Sequence, residues 1–175
     1  MTRLLLTLAA GTLLTLWADA QTAPAPVLAA DRLRLLHANR VLLEDLLDRG
    51  VKLGDASGKL DRADECRKAL GTLTDALNRA TEEPALDADR VAELTDHLTE
   101  LVQSGLAPTL AEARARVRAG SPGAEQLAKI ESAATTDLTA VQNQFLLDPR
   151  LARSSKLKTS HERLRDAVGK IAPKE

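Results

Sequence analysis

Leu98-Thr99-Glu100-Leu101-Val102-Gln103-Ser104-Gly105-Leu106 is a leucine-paced run that ends at a glycine followed by an apolar residue. Leu43-Glu44-Asp45-Leu46-Leu47-Asp48-Arg49-Gly50-Val51 has the same spacing. Leu73 to Ala80 repeats it, with Ala76 and Ala80 in place of the larger apolar residue and the glycine. Apolar residues three and four apart fall on one side of an α-helix, so a chain built on such runs hides its apolar surface by packing helices together. No stretch alternates apolar and polar residues over β-branched or aromatic positions, so no strand is expected. The three runs start 30 and 25 residues apart, too unevenly for a counted repeat, and they read as one packing solution used several times.

The spacing predicts an all-α, antiparallel bundle of five to six helices behind an N-terminal signal segment. Met1-Thr2-Arg3 is followed by an apolar segment from Leu4 to Trp17 and then by Ala18-Asp19-Ala20. A basic start, a short apolar core and small residues at the end are the order of a secretory signal. The apolar segment falls short of the ~20 residues that span a bilayer as a helix. Cleavage is expected after Ala20, which implies a periplasmic or secreted protein whose mature form carries no transmembrane segment. Residues 21–27 read as an extended proline-alanine leader, and residues 28–175 as a single helical domain.

In that domain Leu33, Leu36, Leu43 and Leu47, widened by Leu35, Leu42 and Leu46, predict a core-facing first helix from about Leu28. Val51 and Leu53 continue its stripe past Gly50, so the expectation is a helix running to about Gly54 with Gly50 at a close helix crossing. A second helix is expected from Lys59 to Ala80 on Leu60, Ala63, Cys66, Leu70, Leu73 and Leu77. A third, from Ala85 to Ser104, has Val91, Leu94, Leu98, Leu101 and Val102. Gly105 with Pro108 behind it reads as a helix stop. A fourth is expected from Pro108 to Arg118. Ser121 and Pro122 then open a fifth to Leu147, and a last helix covers Leu151 to Ile171. Short turns between such helices make successive ones antiparallel neighbours.

Composition removes several functions. Cys66 is the only cysteine, so no internal disulfide and no Cys-x-x-Cys-His haem attachment exists, and Cys66 itself is expected in the core. After the signal, Phe145 is the one aromatic residue left, which argues against sugar clefts and single-strand nucleic-acid platforms. The formal net charge of −1 gives no general pull toward nucleic acid. No phosphate-binding glycine loop or His-Glu-x-x-His run occurs, and Asp55-Ala56-Ser57-Gly58 lacks the spacing of a calcium loop. Ser155-Lys156-Leu157-Lys158 matches the Ser-x-x-Lys of penicillin-recognising enzymes, but without their sheet or further motifs it reads as coincidence. The chain is therefore expected to be non-enzymatic and to need no cofactor.

Two candidate sites remain. His97 has Glu93 four residues before it and Glu100 three after, a set that shares one helix face and has the donor types a divalent metal uses. His37 and His161 stand alone on other helices. The second candidate is charge. From Glu82 to Glu100 the chain carries Glu82, Glu83, Asp87, Asp89, Glu93, Asp96 and Glu100 against Arg90. Its C-terminal stretch instead carries Arg150, Arg153, Lys156, Lys158, Arg163, Arg165, Lys170 and Lys174 against Glu162, Asp166 and Glu175. A basic last helix could dock an anionic envelope partner. The other reading is that the acidic and basic helices touch, which would make the asymmetry structural.

Leu138-Thr139-Ala140-Val141-Gln142 resembles the Leu-Thr-x-x-Gln signature of small all-helical periplasmic chaperones of the envelope-stress type. Those proteins carry the signature twice, and here it occurs once in the mature chain. The resemblance implies a dimeric, cradle-shaped helical protein that shields unfolded clients or damps a sensor kinase. The functional expectation is thus an exported protein-interaction module with a protein partner or client, compatible with a homodimer. A metal-binding bundle and a basic-helix adaptor are the alternatives.

Overall fold

A computed structural model of the chain describes residues 39–171, leaving aside the side chain of Ala152. The expected signal, the leader, Leu33 to Leu36 and His37 lie outside the described residues. Compactness divides the chain between Arg40 and Val41, and the description below concerns the unit from Val41 onward. The described residues are helical and contain no strand.

The α-helices are α1 (Arg40–Asp55), α2 (Lys59–Glu82), α3 (Ala88–Glu100), α4 (Ala107–Arg116), α5 (Pro122–Leu147) and α6 (Ser155–Val168). A π-helical turn, Leu101–Leu106, joins α3 to α4, and a 3-10 turn, Leu151–Arg153, precedes α6. Local chemistry sets several starts. Asp87 caps α3 by accepting from the Asp89 and Arg90 amides, Ser121 caps α5 through the Ala124 amide, and Ser154 caps α6 through the Leu157 amide. Each side-chain oxygen satisfies a donor that the first helical turn leaves without an intrahelical partner.

The expected stop at Gly105 is corrected. Helix continues from Ala88 to Arg116, because the backbone between α3 and α4 widens instead of breaking. The Ala107 amide donates to the Val102 carbonyl, five residues back. Pro108 has no amide to give, and its ring would press on the preceding turn of a regular helix. A π turn is the local expansion that lets a helix carry such an insertion. Just beyond, the Thr109 hydroxyl lies 2.9 Å from both the Gly105 and Leu106 carbonyl oxygens.

Four rods make the core: α2, the continuous α3 to α4 rod, α5 and α6. The α2 and α3 to α4 rods run antiparallel over their full length, with Arg90 on Glu83 at one end, Gly105 beside Cys66 in the middle and Lys59 on Glu112 at the other. Phe145 stacks on His161 while Leu138, earlier in α5, shares a cleft with Val168, later in α6, so these two rods are antiparallel too. The expectation of antiparallel neighbours holds for these consecutive rods only. Leu60 meets Gly123, Gly71 faces Asp137 and Thr81 accepts from Gln144, so α2 and α5 advance together and are parallel. Asp89 with Lys156 and Asp96 with Arg163 give the same result for α3 and α6, since both pairs span 67 residues. The bundle is two antiparallel hairpins laid side by side with like directions adjacent. It buries Leu70, Leu77, Leu98, Leu106, Leu110, Leu138, Leu157 and Leu164 almost completely, each contributing about 1.5–3 kcal/mol of apolar transfer.

The first helix departs most from expectation. α1 has no buried residue. Leu42, Leu46 and Leu53 lean half-buried on the core, while Leu43 and Leu47, expected inside, are exposed. The leucine doublets give α1 two adjoining apolar rows, and only one can face the bundle. Gly50 is corrected as well: among the described residues nothing lies within 4 Å of a Cβ built on it, and no helix crosses there.

Candidate functional site

The His97 group stays on the outside of α3. His97 Nε2 lies 3.8 Å from Glu93 Oε1 with both side chains more than half exposed, and Glu100 instead accepts from the Ser104 hydroxyl at 2.6 Å. Among the described residues no three His, Cys, Asp or Glu side chains are placed to hold a metal ion. His161 is half-buried: it stacks on Phe145 with ring centroids 4.7 Å apart, and burial pushes its pKa below the ordinary histidine value, helped by Arg165.

The basic residues of the C-terminal stretch are largely absorbed by the fold. Lys156 Nζ is 2.7 Å from Asp89, and Arg163 is 3.1 Å from Asp96. The acidic α3 and the basic α6 therefore touch, and the hydrogen bond from Lys156 to Asp89 raises the lysine pKa. Arg150 ties the two connections at one end of the bundle: it pairs with Asp148 at 2.7 Å and donates to the carbonyls of Thr81 and Glu83. Its hydrogen bonds hold the Asp148 carboxyl below its usual pKa. Arg165 has Asp166 at 4.0 Å. Arg153, Lys158 and Lys170 are exposed with no ion pair among the described residues.

Cys66 is 1% exposed, and burial raises its thiol pKa, so it is a protonated core residue. The Leu-Thr-x-x-Gln residues split by face. Leu138 and Val141 are buried in the core, Thr139 is exposed and Gln142 is half-buried. The motif thus doubles as a piece of the α5 stripe. Beside Leu138 a cleft of about 440 Å³ lies between α5 and α6, lined also by Thr135, Val168 and Ile171. Arg114 holds one end of it, donating to Glu131 at 2.6 Å and to the Ile171 carbonyl at 2.7 Å.

The feature that sequence reasoning missed is on α1. Among the described residues the exposed large apolar side chains are Val41, Leu43, Leu47, Val51, Leu146 and Leu147, and the first four belong to this one helix. Leu43, Leu47 and Val51 stand four apart and form a ridge, with Leu47 70% and Val51 64% exposed. The Asp48 to Lys52 ion pair, at 2.6 Å, borders it. Beneath, α1 is tied to the bundle by Arg49 near Glu65 at 3.6 Å and by the half-buried leucines. The signal was present in the doublets Leu42-Leu43 and Leu46-Leu47, which show more apolar surface than one packing face consumes.

No helix among the described residues is long and apolar enough to cross a membrane. Comparison with known protein families, curated proteins and solved structures finds no match to this chain.

Proposed function

We propose that the chain is an exported, non-enzymatic protein that acts by docking other polypeptides on the apolar ridge of α1. The observation that carries this reading is the concentration of exposed apolar side chains on one lightly anchored helix, while Lys156 and Arg163 of the basic last helix pair with α3. A contiguous apolar patch on a surface is the usual mark of an interaction site. The signal-like N-terminus supports export, and the Leu-Thr-x-x-Gln run agrees with a chaperone-like role. The test is suppression of aggregation of a chemically unfolded test protein. Protection by the parent chain, lost in Leu47→Asp/Val51→Asp with helicity unchanged, is the expected result. Equal protection by both, or none by either, removes the reading.

A further inference from the structure

Two apolar rows run along α1, and they meet different surroundings. The outer row is the ridge of Leu43, Leu47 and Val51, all exposed. The inner row is Leu42, Leu46 and Leu53, half-buried against the core, and Arg49 falls in the same row at steps of four, three and four. Its hold on the bundle is slight. α1 buries none of its 16 residues, whereas α4, with 10, buries Leu110 and Ala113. From the inner row Arg49 reaches Glu65 of α2 at 3.6 Å, a long ion pair whose arginine side chain is 33% exposed. The joint behind α1 has a defined pivot. Arg62 Nε donates to the Ala56 carbonyl at 3.0 Å and the Arg62 amide to the Gly58 carbonyl at 3.1 Å, so Ala56 to Gly58 travel with α2. Rotation is left to Gly54 and Asp55, where glycine adds backbone freedom and nothing among the described residues lies within 4 Å of a Cβ built on it. Release of α1 strands no buried charge, because Glu65 keeps Lys68 at 2.6 Å and Arg49 goes into water. Elements held by few buried contacts are the ones that open locally, and binding elements are drawn from them.

We propose that α1 is a hinged arm whose inner row takes an apolar, acidic polypeptide segment in exchange for its place on α2. The inference rests on the docking reading and names the chemistry of the docked segment. What the inner row meets in the closed arm is the pattern its ligand copies: apolar surface against Leu42, Leu46 and Leu53, with a carboxylate, that of Glu65, opposite Arg49. A guanidinium set among leucines favours a carboxylate at that point and disfavours a cation. In the open arm the outer and inner rows together offer apolar surface over about half the helix circumference, which suits an unfolded chain better than one narrow ridge.

Native-state hydrogen exchange and peptide binding, both on the full chain, test this. The α1 amides should share an opening that α2 to α6 do not. Arg49→Met, which keeps the aliphatic packing and drops the charge, should speed that opening about two- to fivefold. Salt at about 1 M should do the same to the parent and nothing to the variant. The binding probe is a labelled amphipathic peptide with leucines at helical spacing and one glutamate among them. It should bind the parent at least about threefold tighter than its glutamate-to-lysine form, and Arg49→Met should erase the preference. Bridging Arg49→Cys/Glu65→Cys with a short bis-maleimide, native Cys66 being buried out of reach, should weaken peptide binding relative to the same variant left unbridged. Exchange of α1 only together with the whole bundle, equal binding or no binding of the two peptides, or undiminished binding by the bridged arm would each overturn the proposal. Protection of the unfolded test protein without a glutamate preference removes the hinged arm alone. A glutamate preference without protection keeps the arm and removes the docking on the outer ridge.

Discussion

Gly105 packs against Cys66: a Cβ placed on the glycine would lie 3.6 Å from the cysteine Sγ, in ordinary contact, and 3.2 Å from Cδ1 of Leu101 one turn back. This is where the antiparallel α2 and α3 to α4 rods touch at mid-length, inside the π turn. Alanine gains up to about 1 kcal/mol of helix preference over glycine, and the half-exposed Leu101 methyl can swing away. Gly105→Ala should accordingly stay within about 1 kcal/mol of the parent in urea unfolding. Gly105→Leu must push into buried Cys66 and should lose about 1–3 kcal/mol. Equal stability of the two variants would show that the rods do not meet here.

Gly50 tests the opposite situation. It is helical and exposed, with nothing among the described residues within 4 Å of a Cβ built on it, so Gly50→Ala restricts the unfolded chain without meeting a described neighbour. A gain of about 0.4–1 kcal/mol in the stability of α1 is expected. Because α1 buries no residue, native-state hydrogen exchange should report that gain as slower exchange confined to Arg40–Asp55. Destabilisation would mean that something packs on Gly50 after all.

The ion-pair ladder between α3 and α6 makes a directional prediction. Asp89 pairs with Lys156 and Asp96 with Arg163. Reversing one partner, as in Lys156→Glu, should destabilise, and Asp89→Lys in the same chain should restore most of the loss. Added salt should shrink the effect, since exposed pairs are screened. A double-mutant cycle that returned coupling for Asp89 with Arg163 and none for Asp89 with Lys156 would contradict the parallel register.

His161 sets a pH dependence with a definite sign. Its folded pKa lies below the ordinary value near 6.5, chiefly because burial against Phe145 disfavours the imidazolium. The unfolded state therefore binds the proton more readily, and stability rises with pH across this interval. The histidine's contribution is present above about pH 6.5 and is lost as pH falls through the depressed folded value. Thermal unfolding followed through that window should show the midpoint dropping on acidification. His161→Phe, which keeps an aromatic stack on Phe145, should flatten the curve there. An unchanged slope in the variant would assign the effect to other groups.

Helical spacing, capping residues and breaks are local properties, and the chain states them openly. Lys59 to Leu77 and Pro122 to Phe145 show their buried faces in the order of their residues, and Ser121 with Pro122 marks the start of α5 to the residue. Three other matters depended on tertiary competition. Gly105 and Pro108 are local stop signals, yet α2 offers the α3 to α4 rod a face along its whole length, and a π turn costs less than abandoning that burial. The leucine doublets of α1 supply two apolar rows, and periodicity cannot say which of them the bundle has room to cover. The acidic and basic stretches are plain in the residue order, but whether they face partners or one another depends on which rods lie adjacent. Periodicity fixes what a helix can bury, and only the packing of the other helices decides what is left uncovered.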